Sequence, residues 1–114
     1  MSEQAIQQQI RLELGVGPVR LWRNNVGALR DERGRLVTYG LCKGSSDLIG
    51  LRQLHIEEQH LGLELGVFCA LEIKAAGGRP TTEQRQFLEV IRSRGGLAGV
   101  ARSVDEARQI LLLS

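Results

Sequence analysis

The segment Leu71-Glu72-Ile73-Lys74 sets an acid and a lysine two residues apart at the end of an apolar run, Val67 to Leu71. In an extended strand alternate side chains share a face, so the Glu72 carboxylate and the Lys74 ammonium emerge side by side. Ionised groups in an otherwise apolar strand cost on the order of several kcal/mol unless they are paired or used. A rim salt bridge and a working acid–amine pair both satisfy that demand. Lysine occurs only at Lys43 and Lys74, against thirteen arginines. Because lysine is the cation whose proton affinity a site can tune, its choice at position 74 favours chemistry.

Asp47 opens the stretch Asp47-Leu48-Ile49-Gly50-Leu51 after the loop Gly44-Ser45-Ser46. Taken alone it reads as a strand-start residue satisfying local amides. Neighbouring strand ends would bring it within reach of Glu72. Two carboxylates and the main-chain carbonyl of Ile73 are then the hard oxygen donors that Mg²⁺, or Mn²⁺ in its place, combines with water and a substrate phosphate. Beside them Lys74 is placed to orient a water attacking a phosphodiester and to stabilise the charge growing on the phosphoryl oxygens. Other chemistries lack residues. His55 and His60 are five apart, off the spacing of a helical zinc pair, and read as surface residues. No glycine-rich phosphate fingerprint and no Gly-x-Ser-x-Gly elbow occurs.

The elements that must position these groups follow from local signals. Ser2 caps a first helix with Ala5, Ile6, Ile10, Leu12 and Leu14 as its apolar stripe, stopped by Gly15 and Gly17. Val19 to Val26 reads as a strand, Asp31-Glu32-Arg33-Gly34 as a turn and Arg35 to Tyr39 as a second strand, together a hairpin. A short strand follows Asp47. Residues 52–66 fit a helical turn, a loop or the end of a hairpin. Val67 to Lys74 has the near-continuous apolar character of a central strand, the expected spine of the sheet. Thr82 to Arg94 is a helix burying Phe87, Leu88 and Ile91, Leu97 to Ala101 a strand, and Ser103-Val104-Asp105-Glu106 the capping box of a last helix through Leu112. The expected fold is α/β, a mixed sheet flanked by helices in the order α-β-β-β-β-α-β-α.

The chain has 114 residues, enough for one compact domain over 1–114, with 42% hydrophobic and 25% charged residues, which excludes a disordered tail. Its longest apolar runs are too short to cross a bilayer, and the polar start Met1 to Gln9 is no secretory signal, so a cytoplasmic protein without membrane association is expected. Cys42 and Cys69 form no metal or disulfide pattern and are expected in the core. The net charge is only +2, but residues 1–35 and 79–114 each carry six basic and four acidic groups around an acidic centre, three against five. Arginine forks on both flanks suit phosphate oxygens, and Arg23 and Asn25, on one strand face, are candidate phosphate contacts alongside a plain solvated turn. Trp22, Tyr39, Phe68 and Phe87 are too few for a base-stacking platform.

Taken in order, Gly44-Ser45-Ser46-Asp47-Leu48-Ile49-Gly50, Leu71-Glu72-Ile73-Lys74 and Arg79-Pro80-Thr81-Thr82-Glu83-Gln84-Arg85-Gln86-Phe87 resemble the VRR-NUC family within the PD-(D/E)xK nuclease superfamily. The polar first helix, Trp22-Arg23-Asn24-Asn25 and Gly95 to Ala101 extend the resemblance over most of the chain. Ser46 stands where the family usually has proline. The resemblance implies a restriction-endonuclease-like core, a divalent metal (Mg²⁺ or Mn²⁺), and a homodimer acting on branched DNA such as a Holliday junction. It makes Asp47 and Glu72 metal ligands and Lys74 the catalytic lysine. It also assigns Gln84 to the attacking water or a phosphate oxygen, although Thr81-x-x-Gln84 is itself a capping box. Glu3 matches the first-helix acid of the superfamily, with Glu13 as its substitute. Lys43, Ser45 and Arg79 join Arg23 and Asn25 as expected DNA contacts. A helicase partner would be compatible, though no residue names one. The rival from another class is a non-catalytic nucleic-acid-binding or assembly module that keeps the fold.

Overall fold

The computed structural model describes residues 2–113. The chain forms two compact units, the first ending at Arg52 and the second beginning at Gln53.

In the first unit, helix α1 (Glu3–Leu14) starts where the Ser2 side chain accepts a hydrogen bond from the Ala5 amide at 3.1 Å. It stops at Gly15, where a Cβ would lie 2.6 Å from the Arg11 carbonyl oxygen. Strand β1 (Val19–Arg23) runs antiparallel to β4 (Leu48–Arg52), with Arg23 opposite Leu48. Strands β2 (Gly27–Arg30) and β3 (Leu36–Tyr39) form a hairpin across the expected turn at 31–34, with β2 rather than the Val19–Val26 run as its first strand. Its turn is organised by Asp31, whose Oδ1 accepts from the Arg33 and Arg35 amides at 2.9 and 2.8 Å while Oδ2 pairs with Arg35 Nε at 3.0 Å. Gly34 supplies the left-handed residue (φ +76) that closes it.

The second unit opens on extended chain with a single 3₁₀ turn, Glu58–His60, where the Glu57 amide donates to His60 Nδ1 at 2.9 Å. His55 is exposed and His60 half-buried. A βαβ unit follows: β5 (Cys69–Ile73), α2 (Thr82–Ser93) and β6 (Leu97–Ala101), the two strands parallel with Glu72 opposite Val100. Helix α3 (Val104–Ile110) closes the unit. Ser103 Oγ caps it by accepting from the Glu106 amide, but Glu106 returns its carboxylate to the Arg102 amide rather than to Ser103, so the expected box is shifted by one residue.

Several expectations are corrected. The run Val19–Val26 is not one strand: it breaks at 24–26, giving five strands before α2 instead of four, because Asn24 turns away to bond a distant loop. In place of one mixed sheet, the described residues form three two-stranded ladders, β1–β4, β2–β3 and β5–β6. The most deeply covered strand is β6, not β5. Both α2 and α3 pack on β6, and its small residues allow this: a Cβ on Gly99 would lie 2.8 Å from Ile110 Cδ1, and one on neighbouring Gly96 2.5 Å from Ile91 Cγ2. Among the described residues Leu88, Ile91, Ala98 and Ala101 are the buried hydrophobic side chains, whereas Phe87 is 41% exposed. Cys42 and Cys69 are also exposed, contrary to expectation, because one lies in a turn and the other begins a strand.

The Asp31 turn makes the hairpin acid-sensitive. The Arg35 amide above all holds the Asp31 carboxyl below the usual aspartate range; desolvation, the next-largest influence, opposes it, and the Arg35 guanidinium and Arg33 amide add to the lowering. A depressed carboxyl stabilises the fold above about pH 4 and loses that contribution as pH falls through the lowered value. Protection factors at the Arg33 and Arg35 amides, taken after correcting exchange rates for their intrinsic pH dependence, should therefore fall on acidification, and Asp31→Asn should remove most of that fall.

Candidate active site

The parallel ladder that fixes β5 continues one residue past it, through the Lys74 amide to the Ala101 carbonyl at 3.1 Å. Glu72 and Lys74 are thereby held in extended register on one face, and their side chains meet, Nζ to Oε1 3.5 Å. Each is about a quarter exposed, 28% and 22%, while Ile73 between them is 65% exposed. A strand serving only packing would cover the isoleucine and leave the charges to solvent. Here the order is inverted, as when charged groups are kept for chemistry.

Beyond Lys74 the chain doubles back through Gly77 (φ +81). A Cβ on Gly78 would lie 3.5 Å from Lys74 Cβ, and Arg102 Nη2 donates to the Gly78 carbonyl at 2.7 Å. This ties the turn before exposed Arg79 to the segment after β6. Helix α2 then opens with a complete capping box: Thr81 Oγ1 accepts from the Gln84 amide at 3.1 Å, and Gln84 Oε1 accepts from the Thr81 amide at 2.9 Å. The box engages only the carbonyl end of Gln84, so the Nε2 protons remain donors for another partner.

In the first unit Asn24 organises the loop that leads to Asp47. It is 8% exposed and directs four hydrogen bonds into residues 41–47. Its amide donates to the Asp47 carbonyl at 2.8 Å, Nδ2 donates to Ser45 Oγ at 2.7 Å and the Ser46 carbonyl at 2.9 Å, and Oδ1 accepts from the Leu41 amide at 2.9 Å. The Asp47 side chain is left exposed at the start of β4. Ser45 Oγ also donates to the Cys42 carbonyl at 2.7 Å, so this expected DNA contact has its hydroxyl committed within the loop. Asn25, Lys43, Ser45 and Asp47 line one concavity of about 910 Å³. Asn25 lies beyond the end of β1, so the expected shared strand face is lost, but Arg23 Nη2 still donates to Asn25 Oδ1 at 3.4 Å.

Glu3 lies exposed in the first turn of α1, and Glu13 accepts from Gln9 at 3.1 Å near its other end. A smaller concavity of about 440 Å³, lined by Gln4, Gln7, Gln8, Arg11 and Arg23 among others, joins α1 to β1. Arg11 was missed as a candidate, although positions 4, 7, 8 and 11 form a polar helical stripe legible from spacing. Asn24 was missed as the organiser, although strand alternation puts it on the face opposite Arg23 and Asn25.

Among the described residues no group of three His, Cys, Asp or Glu side chains forms a metal site by itself. Asp47 precedes β4 in the first unit and Glu72 lies on β5 in the second, and β4 and β5 belong to different ladders, so the expected pairing of neighbouring strand ends is not among the described ladders; each carboxylate is by itself a hard-oxygen donor. The family model for the VRR-NUC domain matches residues 1–105, and the chain belongs to that family of nucleases. No curated protein and no solved structure matches it.

Replacing Asn24 by Ala should leave the Leu41 amide and Ser46 carbonyl without their partner. The expected loss is about 2 kcal/mol of stability, read by urea denaturation. Exchange at the Leu41 and Asn24 amides should accelerate together if the loop loosens as a unit.

Proposed function

We propose that the protein is a divalent-metal-dependent DNA endonuclease of the VRR-NUC family, active on branched DNA such as a four-way junction. The observation that carries this reading is the Glu72–Lys74 pair, half-buried and 3.5 Å apart at the end of β5 in a chain of a nuclease family. Asp47 and Glu72 are its cation ligands, with the Ile73 carbonyl as a third oxygen. When bound, a divalent cation supplies Lewis-acid charge to the scissile phosphate and makes water more acidic. Lys74 holds the attacking water by hydrogen bonding and offsets charge on the phosphoryl oxygens. Gln84 Nε2 donates to that water or to a phosphate oxygen. Glu3 is a further acid of the site, with Glu13 in its place if the first turn does not reach. Arg23, Asn25, Lys43, Ser45 and Arg79 hold the DNA, Ser45 through what its loop leaves available, and Arg11 adds a second guanidinium beside Arg23. Among the described residues no helix is long and apolar enough to span a membrane, and the reading places the protein in the cytoplasm.

Asp47→Asn, Glu72→Gln and Lys74→Ala should each lower Mg²⁺- or Mn²⁺-dependent cleavage by about 100-fold or more while DNA affinity by gel shift persists. Wild-type protein that binds DNA but cuts no branched or linear substrate with either metal would instead establish a non-catalytic binding module.

One site makes one cut, and a two-fold dimer matches the pseudo-two-fold symmetry of a four-way junction. A homodimer is therefore part of the proposal. Sedimentation at micromolar concentration should give twice the chain mass of 12.6 kDa; a monomer that still made paired symmetric incisions would contradict it.

A further inference from the structure

The concavity beside Asp47 has two unlike walls. Hairpin β2–β3 contributes Ala28, Leu36, Thr38 and Tyr39, a surface of apolar and aromatic groups, and the loop after it contributes Lys43 and Asp47. Tyr39 is the aromatic residue of this lining and is 46% exposed. Its ring is seated by the strand opposite: Tyr39 pairs with Gly27, and a Cβ at Gly27 would run into the tyrosine oxygen and lie 2.6 Å from its Cζ. The glycine thus leaves room for the oxygen end of the tyrosine ring over the opposite strand, an aromatic-over-glycine arrangement found in sheets. Gly40 (φ +86) and Gly44 (φ +85) turn the loop that presents Lys43, and at Gly40 a side chain would also strike the Asn25 carbonyl.

We infer that this concavity receives one unpaired nucleotide of the DNA strand being cut, with its base against Tyr39 and its phosphate toward Lys43. The inference rests on the nuclease reading, because Asp47 in the lining places the occupant next to the reacting phosphate. The size is suitable, since about 910 Å³ falls near the upper end of small-ligand sites, which span roughly 300–1,000 Å³. The division of the walls is suitable as well. A base stacks on an aromatic face without regard to sequence, and an ammonium on a glycine turn is a point charge for phosphate. A base still stacked in a duplex cannot enter. The nucleotide must be extruded, and that costs least where it is already unpaired. Selectivity for branch points then follows from the cavity: frayed, flap or gap nucleotides enter it, and continuous duplex does not.

The test uses full-length protein and paired DNA substrates of one sequence, differing only in whether the nucleotide beside the mapped cut is paired or unpaired. Wild type should cleave the unpaired form at least about tenfold faster in kcat/KM. Tyr39→Ala should bring the two rates together by slowing only the unpaired form, and Tyr39→Phe should restore the preference because stacking needs the ring and not the hydroxyl. In the non-cutting Glu72→Gln variant, 2-aminopurine at the unpaired position should change its fluorescence on binding, and the further change Tyr39→Ala should abolish that response. Equal cleavage of the two substrates, or a Tyr39→Ala loss that falls equally on both with a normal melting curve, would overturn the inference and leave the nuclease reading intact. Absence of cleavage on every substrate would remove the nuclease reading. The fluorescence arm would then decide the cavity alone, a response lost with Tyr39 supporting it and no response overturning it.

Discussion

A buried amide side chain must find partners for its carbonyl and both its N–H groups or lose more than it gains by burial. Asn24, the buried polar side chain of the described residues, meets this demand entirely in one loop. That constraint breaks the first expected strand, separates the β1–β4 ladder from the β2–β3 hairpin, and fixes the backbone from Leu41 to Asp47. The loop has little else to hold it: Leu41, Cys42, Lys43 and Gly44 are all exposed. Its shape is therefore set by hydrogen bonding rather than by hydrophobic contact. The main chain at Asp47 is thereby tied by hydrogen bonds while its side chain stays exposed.

The second unit positions its charged residues by a different device. Parallel pairing of β5 with β6, prolonged by the Lys74 amide, decides which face Glu72 and Lys74 share. The helices decide where the core lies. They close on β6 because alanine and glycine there leave room for Ile91 and Ile110, and β5, with its heavier side chains, is left less covered. Glu72 thus sits at the margin of the covered region, about a quarter exposed and in contact with Lys74.

What the sequence made legible was local. The Ser2 cap, the Thr81–Gln84 box, the Asp31 turn and the glycine stops act within a few residues, and each is found where spacing put it. The side-by-side placement of Glu72 and Lys74 was legible for the same reason, since it needs only the period of a strand. What was not legible depends on partners far along the chain. Asn24 reaches residues 17 to 22 positions away, and nothing within Trp22-Arg23-Asn24-Asn25 states which amide would turn inward. The burial of β6 over β5 depends on two helices that follow or flank it. The cysteines were assigned by the average habit of their residue type, which carries no information about a turn or a strand start.

The central proposal is that Asp47 and Glu72 serve one divalent cation beside Lys74. Anomalous diffraction from crystals soaked in Mn²⁺ tests it directly. The account predicts a manganese peak within coordinating distance of both carboxylates, lost in Glu72→Gln crystals. A well-ordered map with no peak at either acid, or with the two carboxylates directed apart, would contradict it.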